Sequence, residues 1–147
     1  MEKLTSYLTF KLGNEKFAAN IGHVLHILGV PQITPLPNAP SHIKGAINLR
    51  GKVLTVIDPH EKFHMEKQPI TKNSCIIVLE LMNEGEKVEI GALVDSVDQV
   101  IEIESESLLP APGIGTQFKS EFIENIININ NEFILVLNIE NVFAPNF

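Results

Sequence analysis

The feature that most constrains this chain is its β-branched content. Of its 147 residues, 19 are Ile and 11 are Val, against only 7 Ala. Branched side chains are stiff at χ1 and pack well on pleated surfaces, whereas Ala is the best helix former. A mainly β protein is therefore predicted. The length suits one domain, or two very small units sharing a core. Apolar residues make up 44% of the chain, which excludes a disordered polymer.

The hydrophobic pattern supports that prediction segment by segment. Residues 7–12 place Leu8, Phe10 and Leu12 on one face, Gly13-Asn14 makes a tight turn, and residues 15–19 return as a hairpin. Ile21, Val24, Leu25 and Leu28 fall at helical spacing, with Asn20 as N-cap and Gly29 and Pro31 as stops. They predict a helix of roughly two turns. Prolines 31, 35, 37 and 40 make an extended connector. Residues 41–44 are read as one helical turn. Strands are expected at 46–49 and 52–58, around Arg50-Gly51, then at 75–82, 87–95, 97–104, 122–130 and 132–139. The segment 108–115, with Pro110, Pro112, Gly113 and Gly115, is read as loop. Residues 138–143 are read as one capped helical turn. About nine short strands with few helices predict a small-barrel or sandwich architecture. The linker-like stretch 64–73 is expected as an approximate seam between two β units, with room for strands to cross over, and no sequence repeat is strong enough to establish a duplication.

Several functional classes drop out early. The formal net charge is −7, from 18 Asp+Glu against 11 Lys+Arg. That disfavours a nucleic-acid partner, because phosphate neutralisation needs clustered bases. One cysteine, Cys75, excludes a disulfide framework and suits a reducing cytoplasm. No signal peptide is expected from Met1-Glu2-Lys3, and no apolar run approaches the ~18 residues of a membrane span.

Catalytic motifs are weak. His60-Glu61-Lys62-Phe63-His64 matches H-E-x-x-H, which on a helix holds zinc between two histidines with the Glu as general base. Here Pro59 directly precedes it after a β pattern, and Pro69 follows closely, so a polar turn with exposed histidines is the expectation and a zinc hydrolase the lesser alternative. Cys75 opens an apolar strand, where a free cysteine behaves as a small hydrophobe. His23, His26 and His42 are scattered and read as surface or capping residues. Gly113-Ile114-Gly115 lacks the strand and helix of a phosphate loop. The chain is expected not to be an enzyme and to carry no metal or cofactor.

Arg50, the only arginine, stands before Gly51 between two strands. Asn48 can bond neighbouring backbone and Gly51 can take positive φ, so a turn would present Arg50 as a five-donor fork for a carboxylate or carbonyl. A hairpin arginine in water, or one paired within the fold, fits the same residues.

Longer stretches carry a family likeness. Tyr7-Leu8-Thr9-Phe10-Lys11-Leu12-Gly13 opens it, followed by Ile21-x-x-Val24 and by Ile33-Thr34-Pro35-Leu36-Pro37-Asn38-Ala39-Pro40. Ile43-Lys44-Gly45-Ala46-Ile47-Asn48-Leu49-Arg50-Gly51, then Val56-Ile57-Asp58, is the most specific part. Val94-Asp95-x-Val97 and Pro110-Ala111-Pro112 come in the right order at family-like spacing. From Tyr7 to about Phe143 the chain resembles the CheW family, the coupling proteins of bacterial chemotaxis.

The resemblance implies two SH3-like β-barrel subdomains packed around a shared core, with short helices, in a single domain over 1–147. It implies a non-catalytic, cytoplasmic scaffold or adaptor that joins the chemoreceptor hairpin tip to the regulatory domain of the histidine kinase CheA. It would sit in receptor arrays at the inner face of the membrane, with no membrane insertion. A CheW-like adaptor of another motility or developmental pathway fits equally. Position by position, the resemblance implies that Val24 and Ile76 line a receptor-binding groove between the barrels and that Arg50 and Gly51 fall in the family's Asn-Leu-Arg-Gly turn, which takes part in receptor coupling; the kinase-binding surface is left unassigned. Three positions depart from the family pattern. His26 stands where the family helix usually carries Glu, Asp58-Pro59-His60 replaces the usual Asp-Leu-Arg, and Asn125 replaces a glycine, a residue that can adopt the left-handed conformation at modest cost.

Overall fold

Alternating apolar positions become strands along most of the chain. The computed structural model describes residues 3–110 and 120–144. In order these form β1 (Leu4–Leu12), β2 (Glu15–Asn20), a 3-10 turn at Ile21–His23, and β3 (Val24–Gly29). Then come β4 (Ile43–Leu49), β5 (Lys52–Ile57) and the short helix α1 (Pro59–Lys62). β6 (Cys75–Asn83), β7 (Glu86–Val94) and β8 (Ser96–Glu104) follow. β9 (Leu109–Pro110), β10 (Ile123–Ile129), β11 (Glu132–Leu137) and α2 (Ile139–Phe143) complete the described chain. The protein is mainly β, as its branched composition requires.

The strands make two curled sheets, ordered β8-β1-β2-β11-β10-β9 and β3-β6-β7-β5-β4. The stretch 64–73 runs from α1 to β6, so the chain enters and leaves it beside the second sheet. The passages between sheets lie at 20–24, between β2 and β3, and at 94–96, between β7 and β8. Each passage delivers a strand to the far sheet: β3 pairs with β6, and β8 pairs with β1.

Three sequence expectations need correction. The predicted helix at 20–28 is a 3-10 turn followed by β3. Asn20 keeps its capping role, its side chain accepting from Gly22 N at 2.9 Å. Val24-Leu25-His26-Ile27-Leu28 fits either period, but β6 offers a pairing edge, with Ile27 opposite Ile77 and Leu28 opposite Ile76. A two-turn helix has little stability of its own to set against those ladder bonds. The helical turn expected at 41–44 gives way to β4 from Ile43, and Leu109–Pro110, expected as loop, pairs with β10. Pro112, Gly113 and Gly115 lie outside the described residues. Asn125 is absent from the left-handed residues; it extends along β10, and its Nδ2 donates to Leu109 O at 3.3 Å.

The structure also reveals a repeat that the residues conceal. β4–β5–α1 and β10–β11–α2 share one register at an interval of 80 positions. Ile43 faces Ile57 as Ile123 faces Leu137, and each hairpin shifts register after its first pair. Thr34 bridges Ala46 as Leu109 pairs with Ile126. Asp58 and Asn138 cap the two helices.

The main core lies between the sheets, where Phe10, Leu12 and Phe17 of the first meet Ile77, Leu79 and Ile90 of the second. Phe17 stacks on Phe63 with centroids 5.3 Å apart, and Phe63 meets Phe122 edge-on at 5.6 Å. Each fully buried side chain of this size contributes roughly 1.5–3 kcal/mol. Smaller cores fill the inside of each sheet, with Ile76, Leu54 and Val56 in the second.

Candidate functional site

The hairpin β4–β5 closes on two residues, with Leu49 opposite Lys52. Arg50 has φ 54° and Gly51 φ 82°. Positive φ at both central positions is the type I′ geometry, whose twist matches that of the strands. Asn48 Oδ1 accepts from Gly51 N at 3.0 Å, bracing the turn from within. Arg50 is exposed, and among the described residues no ion pair or side-chain hydrogen bond holds its guanidinium. A left-handed arginine costs about 1–2 kcal/mol, so the tip is not built for stability alone.

Apolar surface flanks the tip. Val53 is 80% exposed and Leu36 41%. With Thr34, Ala46, Ile47 and Asn48 they line an open recess of about 300 Å³. A second recess of about 260 Å³ on the other side of Val53 includes Lys52, Lys87 and Glu89. The parallel register of β5 and β7, Val56 beside Gly91, sets Lys52 level with Lys87. The tips Arg50–Gly51 and Glu84–Gly85 therefore project from the same end of the sheet.

The four residues expected at a receptor surface occupy different settings. Arg50 and Gly51 share the tip. Val24 begins β3, opposite Leu79 on the edge strand at the other side of the sheet, half-buried against the main core. It lies on a strand rather than a helix. Ile76 has no exposed surface, so it supports the sheet from beneath. Its Cγ2 would lie 2.8 Å from a Cβ added at Gly91, so Gly91 lets β7 close over it. Ile76 shares its core with Ile47 and Leu54, which flank the tip on β4 and β5.

The H-E-x-x-H match does not form a metal centre. α1 ends at Lys62, and His64, exposed and at φ 56°, lies beyond it, so the two histidines do not share a helix face. His60 was expected to be exposed, but it is 3% exposed. Its Nδ1 lies 2.6 Å from Asp58 Oδ1 and its Nε2 2.9 Å from Asp95 Oδ2, on opposite sides of the ring. These groups cannot converge on one ion. Among the described residues no group of three His, Cys, Asp or Glu is placed to hold a metal. Cys75 Sγ faces Asn73 O at 3.5 Å rather than a histidine. Burial, and next Lys62, lower the His42 ring from its ordinary 6.5, and its buried Nε2 finds no hydrogen-bond partner among the described residues.

Sequence reasoning overlooked Val53, Leu36 and the buried state of His60. Val53 had a signal: it takes the outward position between Lys52 and the inward Leu54, so it is an apolar residue facing water. Phe133, its counterpart 80 positions on, is likewise 62% exposed. His60 had no local signal, because Asp95 lies 35 residues away.

The family model described as CheW-like domain matches residues 6–145. The chain is 32% identical over 138 residues to the chemotaxis protein CheW of Klebsiella aerogenes, spanning 94% of this chain and 81% of that one. It is 30% identical over 136 residues to the chemotaxis protein CheW of Rhizobium meliloti, spanning 92% and 85%. The crystal structure of the scaffolding protein TtCheW from Thermoanaerobacter tengcongensis superposes with a TM-score of 0.86 at 32% identity. That superposition covers 98% of this chain and 95% of that one. Among the described residues no helix is long and apolar enough to cross a membrane.

Proposed function

The chain belongs to the CheW-like domain family, and from that premise we propose that it is a non-catalytic scaffold joining chemoreceptors to the histidine kinase CheA in chemotaxis signalling. It binds the helical hairpin at the receptor's cytoplasmic tip and the regulatory domain of the kinase. It works in the cytoplasm, in receptor arrays at the inner face of the membrane. The role needs neither bond-making chemistry nor a cofactor.

The receptor side uses Arg50 and Gly51 at the tip and Val24 on β3, with Ile76 holding the sheet under the tip. The observation that supports this assignment is an exposed Arg50, unpaired among the described residues, on a braced two-residue turn flanked by Val53 and Leu36. A guanidinium fork gives a helix orientation through charged hydrogen bonds, while apolar neighbours supply affinity. The chain is one domain of two units, and their boundary follows sheet membership at the passages 20–24 and 94–96.

Titration calorimetry with an isolated CheA regulatory domain and with a receptor hairpin fragment tests this reading. Saturable binding to each at micromolar concentration is expected. Absence of binding to both at high micromolar concentration would remove it.

A further inference from the structure

Away from the hairpin tip, the molecule carries a buried polar joint. His60 contacts Asp58 through Nδ1 at 2.6 Å and Asp95 through Nε2 at 2.9 Å. An ionised carboxylate only accepts, so both contacts are hydrogen bonds only when both ring nitrogens carry protons, as in an imidazolium. The three residues come from two stretches of chain: Asp58 and His60 from the start of α1, and Asp95 from the passage between β7 and β8. Asp95 Oδ2 also accepts from Gly13 N at 2.6 Å, in the β1–β2 turn, and Asp95 N donates to Lys11 O at 3.0 Å. A continuous run of hydrogen bonds thus links the second sheet to a hairpin of the first.

The other passage has an inverted counterpart. Glu140 lies 80 positions after His60, at the same place on α2. Its Oε2 accepts from Met82 N at 3.2 Å and lies 3.9 Å from His23 Nδ1, in the passage 20–24. There the helix supplies the acid and the passage the histidine. Only the His60 joint is buried, so only there does ring charge act in a shielded setting.

We infer that the Asp58–His60–Asp95 bridge is a proton-sensitive joint that holds the two sheets together while His60 is charged and loosens when it is neutral. A neutral imidazole has one N–H, so it can satisfy one carboxylate and must turn an acceptor toward the other.

The charged surroundings are consistent with this. Burial pulls His60 down, but the hydrogen bonds and charges of Asp58 and Asp95 outweigh it and leave the ring above its ordinary 6.5. Burial pushes Asp58 up, but His60, and at longer range Lys44 of β4, bring it below its ordinary 3.8. On α1, Glu61 pairs with Lys67, and Lys62 lies over the Phe122 ring. A raised histidine contributes fully below pH 6.5 and loses its contribution as pH rises through the folded value. A lowered aspartate contributes above 3.8 and loses it as pH falls through its own. The joint is therefore strongest in mildly acidic solution and weakens toward alkaline pH. His42, with a lowered ring, acts in the opposite direction near neutrality, so the test must read the joint itself.

NMR of the full chain supplies that reading. The His60 ring is expected to titrate above 6.5. Each unit of elevation corresponds to a tenfold change in the folding equilibrium. After correction for intrinsic exchange, protection of the Gly13 amide should fall through that titration. The Val78 amide, inside the second sheet, should change less. In Asp95→Asn the His60 titration should move down and the extra loss at Gly13 shrink; His60→Gln, where it folds, should abolish it. A ring titrating below 6.5, or Gly13 and Val78 losing protection in parallel, would overturn the inference.

Discussion

Arg50 is a residue whose backbone is unfavourable and whose side chain is unused within the described fold. Both facts point outward. Arg50→Glu is expected to weaken receptor-fragment binding at least tenfold and to leave Tm within about 2 °C, because an exposed, unpaired site changes stability by less than about 0.5 kcal/mol. Calorimetry with parallel thermal melts reads both; a large drop in Tm would make Arg50 structural. Ile76 behaves oppositely. Truncating this fully buried side chain to Ala is expected to cost about 2–5 kcal/mol in urea unfolding, through the cavity it leaves. At this scale the sequence was legible where chemistry is local. The lone arginine, the Asn48 brace and the freedom needed at Gly51 all follow from adjacent residues. The depth of Ile76 does not, because a strand's burial depends on what packs over both its faces, and Gly91 admits it from the next strand.

At the scale of elements, the hairpin turn separates stability from function. Type I′ turns favour Asn-Gly. Arg50→Asn would relieve the left-handed arginine and is expected to raise stability by about 0.5–1 kcal/mol while still weakening receptor binding. Gly51→Ala is expected to lower stability by about 1–2 kcal/mol, since Ala at φ 82° is strained. Denaturant unfolding of the two variants measures both, and opposite signs are the expected outcome. β3 shows why element identity was only partly readable. Its apolar residues satisfy helical and strand periods alike, and the pairing with β6 that decides between them comes from residues 75–79. Hairpins read well because their turn residues are neighbours; β9, of two residues, leaves no pattern to read.

At the scale of the whole molecule, the contiguous strands β3 to β7 make one sheet, the strands before and after them make the other, and the two close on a common core. The repeat of 80 positions was hidden because register is conserved while side chains are not: Arg50 faces solvent where Asn130 does, and Val53 where Phe133 does. Asp95 joins His60 and Gly13 for the same reason that the sheets interlock, since the passage carrying it runs between them. Residue patterns identified a small, mainly β scaffold and its arginine tip; long-range packing alone determined which strands share a sheet. The role proposed for this chain is a physical link between receptor and kinase. Co-sedimentation of purified CheA with vesicles bearing chemoreceptors, with and without this protein, tests it directly. Kinase is predicted to pellet with the vesicles only when the protein is present, and Arg50→Glu should leave it in solution. Kinase that partitions identically with and without the protein would contradict the account.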